Sequence, residues 1–279
     1  MDRKKVTIPD LYRKKADHEK VTMLTAYDYP AARLCERAGL DTVLVGDSLG
    51  NVMLGYDSTV PVTMDEMLHH IKAVRRGLDK CFLIGDMPFM SYQVSKEQAL
   101  TNAGRFMKEG GCECVKLEGG VEMAATVAAL TAAGVPVCAH IGLTPQSVSQ
   151  LGGYKVQGKD LAGAQKLIDD AKALDQAGAC LIVFECIPSA LAAAITKAVS
   201  MVTIGIGAGP DCDGQVLVYH DLVGLFDRKP PKMAKQYVNL FPEVEKAMSS
   251  YVRDVRGGAF PADQHAFHMD PEVVAQLKI

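Results

Sequence analysis

The chain lacks any apolar run close to the roughly 20 residues that a helix needs to span a bilayer. It also lacks a basic excess, because 30 lysines and arginines stand against 33 acidic residues and leave a net charge of −3. A membrane partner and a nucleic-acid partner are therefore not predicted. The basic segment at residues 1–15 has no apolar stretch of the kind that a secretory signal contains, so we expect a cytoplasmic protein.

The cysteines do not indicate a disulfide framework or a structural zinc site. Most of the eight lie in or beside apolar runs, where a thiol behaves as a small hydrophobic group. Only Cys112 and Cys114 are close in sequence, and no second pair completes a zinc site. Because 279 residues can bury a core without cross-links, we predict reduced thiols throughout.

Short β-branched apolar runs alternate with amphipathic stretches of helical spacing. The predicted strands are residues 21–25, 42–45, 82–85, 114–117, 137–139, 181–184 and 202–206, with a weaker eighth at 216–219 or shifted by the turn before it. The predicted helices between and after them are residues 31–38, 64–76, 96–109, 123–133, 161–177, 190–199 and 243–256. Continuous apolar strands are typical of a parallel sheet that helices cover on the outside.

We predict an α/β protein in which residues 1–279 form one (β/α)₈ (TIM) barrel, a fold that takes about 250 residues. A doubly wound open sheet is the alternative, but no GxGxxG motif opens the first helix. Residues 241–279 are expected to form a C-terminal helix and tail that pack on the barrel or on a neighbouring subunit.

Polar residues follow or end successive strands. In chain order they are Asp28, Asp47, Asp86, Lys116 with Glu118, His140 and Glu185. In a (β/α)₈ barrel the carboxyl ends of the strands meet at one face, where active sites lie. Helix capping is the alternative; it suits Asp28, which Pro30 follows, and suits Glu118 poorly because two glycines follow it. We therefore predict an active site at the barrel mouth.

Asp47, Asp86 and Glu118 would form a site of oxygen ligands with no thiolate or histidine pair nearby. Hard oxygen ligands favour Mg²⁺ or Mn²⁺ over zinc or copper. Because Mg²⁺ keeps several waters, such a site leaves room for a bidentate ligand such as a 2-keto acid.

Lys116 and Glu118 stand two residues apart on one strand, so both are expected to face the barrel interior. A buried lysine needs an anionic partner. Three interpretations stay open for Lys116: an internal pair with Glu118, a contact to a substrate carboxylate or enolate oxygen, and a Schiff base.

Glu185 has apolar neighbours, so burial is expected to raise its pKa towards the range of a general base, although a cap before Pro188 is an alternative. His140 is either a satisfied core residue or a functional one, and its strand-end position favours function. A glycine-rich segment at 151–158 is predicted to be a lid or substrate loop.

Nine motifs in collinear order resemble the ketopantoate hydroxymethyltransferase family and cover almost the whole chain. They are TAYDYPAA at 25–32, VGDSLGNVMLGYDST at 45–59, PVTMDEM at 61–67, DMPFMSY at 86–92, VKLEGG at 115–120, VPVCAHIGLTPQSV at 135–148, GGYKVQG at 152–158, FECIP at 184–188 and IGIGAGPDCDGQVLVYHDLVG at 204–224. The resemblance implies one Mg²⁺ per subunit, with the ligands Asp47, Asp86 and Glu118. It implies keto-acid contacts at Asp47, Ser48, Asp86 and Lys116. It implies catalytic roles for Glu185, as the base, and for His140.

The resemblance also implies an activity and an assembly. The expected reaction moves a hydroxymethyl group from the co-substrate 5,10-methylenetetrahydrofolate to 3-methyl-2-oxobutanoate, giving 2-dehydropantoate for pantothenate biosynthesis. The expected assembly is a homodecamer in which the C-terminal helix packs between subunits. Three alternatives remain: a metal-dependent 2-keto-acid lyase or phosphoenolpyruvate-handling enzyme, a Schiff-base aldolase, and a non-catalytic keto-acid-binding protein.

Overall fold

The computed structural model describes residues 3–153 and 155–278. Its parallel strands pair in chain order and close into a barrel. The strands are β1 (Val21–Thr25), β2 (Thr42–Val45), β3 (Phe82–Asp86), β4 (Cys114–Glu118), β5 (Val137–Gly142), β6 (Leu181–Glu185), β7 (Val202–Ile206) and β8 (Gly214–Leu217). Pairing of β1 with β8, with Met23 opposite Val216, completes the ring. The predicted (β/α)₈ fold is confirmed.

Helices surround the barrel and extend beyond it. They are α1 (Ile8–Ala16), α2 (Tyr29–Ala38), α3 (Leu49–Val52), α4 (Met64–Gly77), α5 (Lys96–Lys108), α6 (Ala124–Ala132), α7 (Val148–Leu151), α8 (Leu161–Gln176), α9 (Ser189–Ala198), α10 (Tyr219–Val223), α11 (Phe241–Arg256) and α12 (Pro271–Val274). A loop alone joins β7 to β8 in the described stretch 207–213. Among the described residues, no helix has the length and apolar character that a membrane crossing requires.

Several elements differ from the sequence predictions: the short helices α3, α7, α10 and α12 were not predicted, and β5 extends to Gly142. Strand β8 begins at Gly214, two residues earlier than predicted, because Gly214 already pairs with Val21 of β1. A Cβ at Gly214 would lie 2.4 Å from the Val21 carbonyl oxygen, so this pairing requires glycine. The predicted helix at 123–133 is divided into a 3₁₀ turn, Val121–Met123, and α6. Helix α1 was not predicted; its Leu11 is fully buried. It precedes β1 at the amino-terminal end of the barrel.

Alternation along the strands separates two layers of the core. On β4, Leu117 packs between the strands and the outer helices, as expected for a residue facing away from the interior. Cys114 faces the interior near the bottom and joins an apolar cluster there, whereas Lys116 and Glu118 face the interior towards the mouth. The barrel interior is therefore apolar at the amino ends of the strands and polar at their carboxyl ends. All eight cysteines are free.

Candidate active site

The predicted site residues surround one cavity at the carboxyl ends of the strands. This inner cavity has a volume of about 130 Å³. Its lining includes Asp47, Ser48, Asp86, Lys116, Glu118, His140 and Glu185. Asp28 is not among them: its Oδ1 atom accepts a hydrogen bond from the Ala31 N–H at 2.7 Å and caps α2. The capping interpretation of Asp28 is confirmed, and the other strand-end residues converge.

Lys116 is paired chiefly with Asp86. Its Nζ atom lies 2.7 Å and 2.8 Å from the two carboxylate oxygens of Asp86, and 3.7 Å from Oε1 of Glu118. Burial alone would lower the pKa of Lys116, but the charges of Asp86, Glu118 and Asp47 outweigh burial and raise it. The side chain is therefore a stable ammonium group, which disfavours a nucleophilic amine.

Asp47 follows β2 and lies directly against Asp86. Its backbone N–H donates to Asp86 Oδ2 at 3.2 Å. Burial, together with the like charges of Asp86 and Glu118, raises the pKa of Asp47 well above its usual value. Burial also raises the pKa of Asp86, against the opposing influence of Lys116. Three buried carboxyl groups thus face one ammonium, so the carboxyl groups outnumber the cationic side chain beside them.

His140 lies between the two glutamates of the site. Its Nδ1 atom is 3.4 Å from Glu118 Oε1, and its Nε2 atom is 3.5 Å from Glu185 Oε2. Neither contact has hydrogen-bond geometry, so both ring nitrogens and Glu118 Oε1 are buried without a hydrogen-bond partner among the described residues. Buried polar atoms of this kind are rare in folded proteins unless a ligand or water satisfies them.

Glu185 ends β6 beside the wall of the cavity. Burial is the main reason that its pKa is raised to about 7. The next residue, Cys186, has a φ of 49°, a left-handed conformation that is strained for a residue other than glycine. Gly142 on β5 packs so closely that a Cβ there would lie 2.3 Å from the Glu185 carbonyl oxygen. The backbones of β5 and β6 are therefore too close beside Glu185 to admit a side chain at position 142.

Gln146, which sequence reasoning missed, links the acidic residues. Its side-chain amide donates to Asp47 Oδ2 at 2.9 Å, and its backbone N–H donates to Glu118 Oε2 at 3.1 Å. Its side-chain Oε1 atom accepts from the Tyr92 hydroxyl at 2.7 Å. Gln146 lies in the motif at 135–148, but attention to charged residues at strand ends passed over it. The glutamine fixes two carboxylates that come from different strands.

The donor chemistry of the site fits a hydrated hard cation. Among the described residues, no three His, Cys, Asp or Glu side chains are arranged to hold a metal ion by themselves. The cavity nevertheless offers three carboxyl groups, and among the described residues Glu118 Oε1 has no hydrogen-bond partner. Mg²⁺ accepts such a set because it keeps several waters and needs only one or two direct carboxylates.

A closed parallel barrel with carboxyl groups, an imidazole and an ammonium group gathered at its mouth is typical of a (β/α)₈-barrel enzyme. The model of the ketopantoate hydroxymethyltransferase family matches residues 5–263. A 3-methyl-2-oxobutanoate hydroxymethyltransferase of Carboxydothermus hydrogenoformans is 58% identical over 277 residues, which cover 99% of this chain and 100% of the relative. A relative of the same name from Syntrophomonas wolfei is 54% identical over 273 residues, covering 98% and 99% of the two chains. The chain belongs to the ketopantoate hydroxymethyltransferase family.

Solved structures of other enzymes share the fold. A phosphonopyruvate hydrolase complex with oxalate and Mg²⁺ has a TM-score of 0.61 at 14% identity, covering 97% of this chain and 94% of that chain. A 2,3-dimethylmalate lyase, from the phosphoenolpyruvate mutase/isocitrate lyase superfamily, has a TM-score of 0.59 at 15% identity, covering 96% and 93%. At these identities the likeness shows the barrel architecture alone.

Proposed function

We propose that the protein transfers a hydroxymethyl group from 5,10-methylenetetrahydrofolate to 3-methyl-2-oxobutanoate, giving 2-dehydropantoate for pantothenate biosynthesis. Its family membership and the names of its relatives support this activity. The observation that carries it is Glu185, whose side chain is only 14% exposed and whose pKa burial raises to about 7, at the wall of a small, charged cavity.

Glu185 acts as the general base that removes the proton from C3 of the keto acid. A base is most effective when its pKa lies near the working pH, and burial brings Glu185 there. Water hydrolyses both C–N bonds of the methylene bridge, which leaves tetrahydrofolate and the one-carbon unit as formaldehyde held in the site. The carbanion then adds to the formaldehyde carbon, and the alkoxide that forms takes a proton to become the hydroxymethyl group. His140, between Glu185 and Glu118, is positioned to donate to either carboxylate as charge develops.

Lys116 and Ser48 orient the keto acid. The ammonium of Lys116 faces the cavity and attracts the substrate carboxylate, while the Ser48 hydroxyl, 2.8 Å from the Tyr27 hydroxyl, lies at the cavity rim. The raised pKa of Lys116 disfavours the Schiff-base alternative, because an amine must lose its proton before it can attack a carbonyl.

Asp47 and Asp86 would hold one Mg²⁺ ion, and Glu118 would contact it directly or through a water. When bound, the ion supplies a Lewis acid that stabilises negative charge on the keto oxygen. The chain's part is to hold the carboxylates in place: Gln146 fixes Asp47 and Glu118, and Lys116 fixes Asp86.

Helix α11 supports the proposed homodecamer. In the described structure it buries none of its residues, and it exposes Phe241, Val244, Met248 and Val252 at helical spacing. A helix that leaves an apolar stripe uncovered is typical of a subunit interface. We expect α11 and the tail to pack against neighbouring subunits of a cytoplasmic assembly.

The test is product formation from the purified protein with keto acid, Mg²⁺ and either the folate or free formaldehyde. We expect 2-dehydropantoate at catalytic rates only with 5,10-methylenetetrahydrofolate, and loss of activity with EDTA. A Schiff-base aldolase would instead resist EDTA and yield a borohydride-trapped adduct on Lys116. A lyase would ignore the folate, and a binding protein would form no product.

A further inference from the structure

A second, wider cavity opens beside the inner one. This outer cavity has a volume of about 720 Å³ and shares Ser48, Glu185 and Met233 with the inner cavity. The two spaces therefore meet at the proposed base. A molecule in the outer cavity can bring a reacting atom to a substrate in the inner cavity without leaving its own pocket.

The volumes of the two cavities indicate which substrate each one can hold. The inner cavity, at about 130 Å³, suits a small keto acid, whereas ligands of folate size occupy pockets of about 300–1,000 Å³. A further cavity of about 580 Å³, lined by Lys166 and Asp170 among others, has no lining residue in common with the inner cavity. The outer cavity, by contrast, is itself lined by Glu185, so it is the better candidate.

Asp221, on α10, supplies an unsatisfied acceptor in the wall of the outer cavity. The residue is 8% exposed, and its Oδ1 atom is buried without a hydrogen-bond partner among the described residues. An unpaired buried carboxylate oxygen is costly, so a ligand that donates to it gains binding free energy. The pteridine ring of a reduced folate carries such donors side by side, in its 2-amino group and its adjacent ring N–H.

Basic side chains lie at the rim of the same cavity. Lys229 and Lys232 line it, are exposed, and form no ion pair in the part of the chain that the structure describes. Arg228 lies beside them, over the ring of Phe226 at 4.5 Å. The glutamyl tail of a folate is a chain of carboxylates, which such a basic rim attracts.

We propose that the outer cavity is the folate subsite, in which Asp221 accepts the pteridine N–H donors and Lys229 and Lys232 bind the glutamyl carboxylates. This inference rests on the proposed hydroxymethyl transfer and adds to it the residues that select the co-substrate. Asp221 lies in the motif at 204–224, for which the proposed chemistry has no other use.

The first test is Asp221→Asn, measured by the KM for 5,10-methylenetetrahydrofolate and by direct titration with tetrahydrofolate. We expect both to weaken by about tenfold or more, because the substitution replaces one acceptor oxygen by an NH2 group, which is itself a donor and cannot accept from a pteridine N–H. The KM for the keto acid should change less than twofold, which also shows that the variant is folded. Asp17→Asn, at an exposed position after α1, is the matched control. Unchanged folate affinity in the Asp221 variant would overturn the assignment.

The second test uses surface variants that do not threaten folding. We expect the wild-type protein to bind triglutamyl tetrahydrofolate more tightly than the monoglutamyl form, and Lys229→Ala/Lys232→Ala to lose that preference. Lys172→Ala/Lys197→Ala, exposed on α8 and α9, should keep it. Equal affinities for the two folates in the wild type, or the same preference in the Lys229/Lys232 variant, would contradict the rim assignment. Failure of the proposed function would instead appear as no product from the wild-type protein with either folate.

Discussion

The two ends of the barrel use the same residue types in opposite ways. At the amino ends of the strands, Asp213 accepts hydrogen bonds from Lys15 Nζ at 2.8 Å and from the backbone and hydroxyl of Thr203 at 2.8 Å and 2.9 Å. Asp41 accepts from the backbone and hydroxyl of Thr22 and pairs with a lysine of α1. At the carboxyl ends, three buried carboxyl groups share one lysine, and several buried polar atoms have no hydrogen-bond partner within residues 3–153 and 155–278.

This difference separates stability from function. Carboxylates with satisfied hydrogen bonds fasten α1 and neighbouring strands together, as expected at the bottom of such barrels. At the mouth, burial and the like charges of Asp86 and Glu118 raise the pKa of Asp47 and reduce the stability of the protein without ligand, which a substrate or cation can then recover. Substitutions at the two ends should therefore change different quantities.

The largest expected effect is at the mouth, from Glu185→Gln. The amide keeps the shape of the side chain but cannot take a proton, so we expect kcat to fall by about 10²–10⁴-fold. Binding of the keto acid, measured by calorimetric titration, should remain within a few-fold of wild type. Retention of wild-type kcat would remove Glu185 from the mechanism.

At the bottom, Asp213→Ala should act on stability alone. It removes an ion pair and two hydrogen bonds, so we expect the free energy of unfolding to fall by about 2 kcal/mol. Urea denaturation gives this value, and kcat at 25 °C should stay near wild type. A loss of activity without a loss of stability would show that the two ends are not separable in this way.

Gln146→Leu tests the link between the carboxylates. It leaves Asp47 Oδ2 without its amide donor, and residues that orient metal ligands typically contribute about 10–100-fold to metal affinity. We expect Mg²⁺ to bind about tenfold more weakly by calorimetry, with little change in melting temperature. Gln150→Leu, at an exposed position on α7, is the matched control. Equal Mg²⁺ affinities in both variants would mean that Gln146 has no positioning role.

The smallest expected effect is a gain in the free energy of unfolding, opposite in sign to the loss expected for Asp213→Ala. Because the folded-state pKa of Asp47 is raised, its ionisation costs stability as the pH rises above the ordinary aspartate value of 3.8. Asp47→Asn should therefore increase the free energy of unfolding by about 1 kcal/mol at pH 8 with EDTA, and much less at pH 4. Destabilisation at pH 8 would contradict the like-charge account.

Much of this comparison could be predicted from sequence. Apolar runs gave the strand positions to within a few residues, and Asp47, Asp86, Lys116 and Glu118 were assigned to one face because strand ends must converge. The mutual contacts could not be predicted, since Lys116 pairs with Asp86 of the neighbouring strand rather than with Glu118 of its own. Gln146 and Asp221 were missed for a similar reason: an uncharged loop amide and a residue on a short helix acquire meaning only from what surrounds them.

The most direct test of the central claim is the pH dependence of proton exchange at C3 of 3-methyl-2-oxobutanoate, followed by NMR in deuterated water with Mg²⁺ and no folate. If buried Glu185 is the base, the exchange rate should rise tenfold per pH unit below about pH 7 and level off above it. A rate that already levels off near the ordinary glutamate value of 4.5, or one that does not depend on pH, would contradict the account.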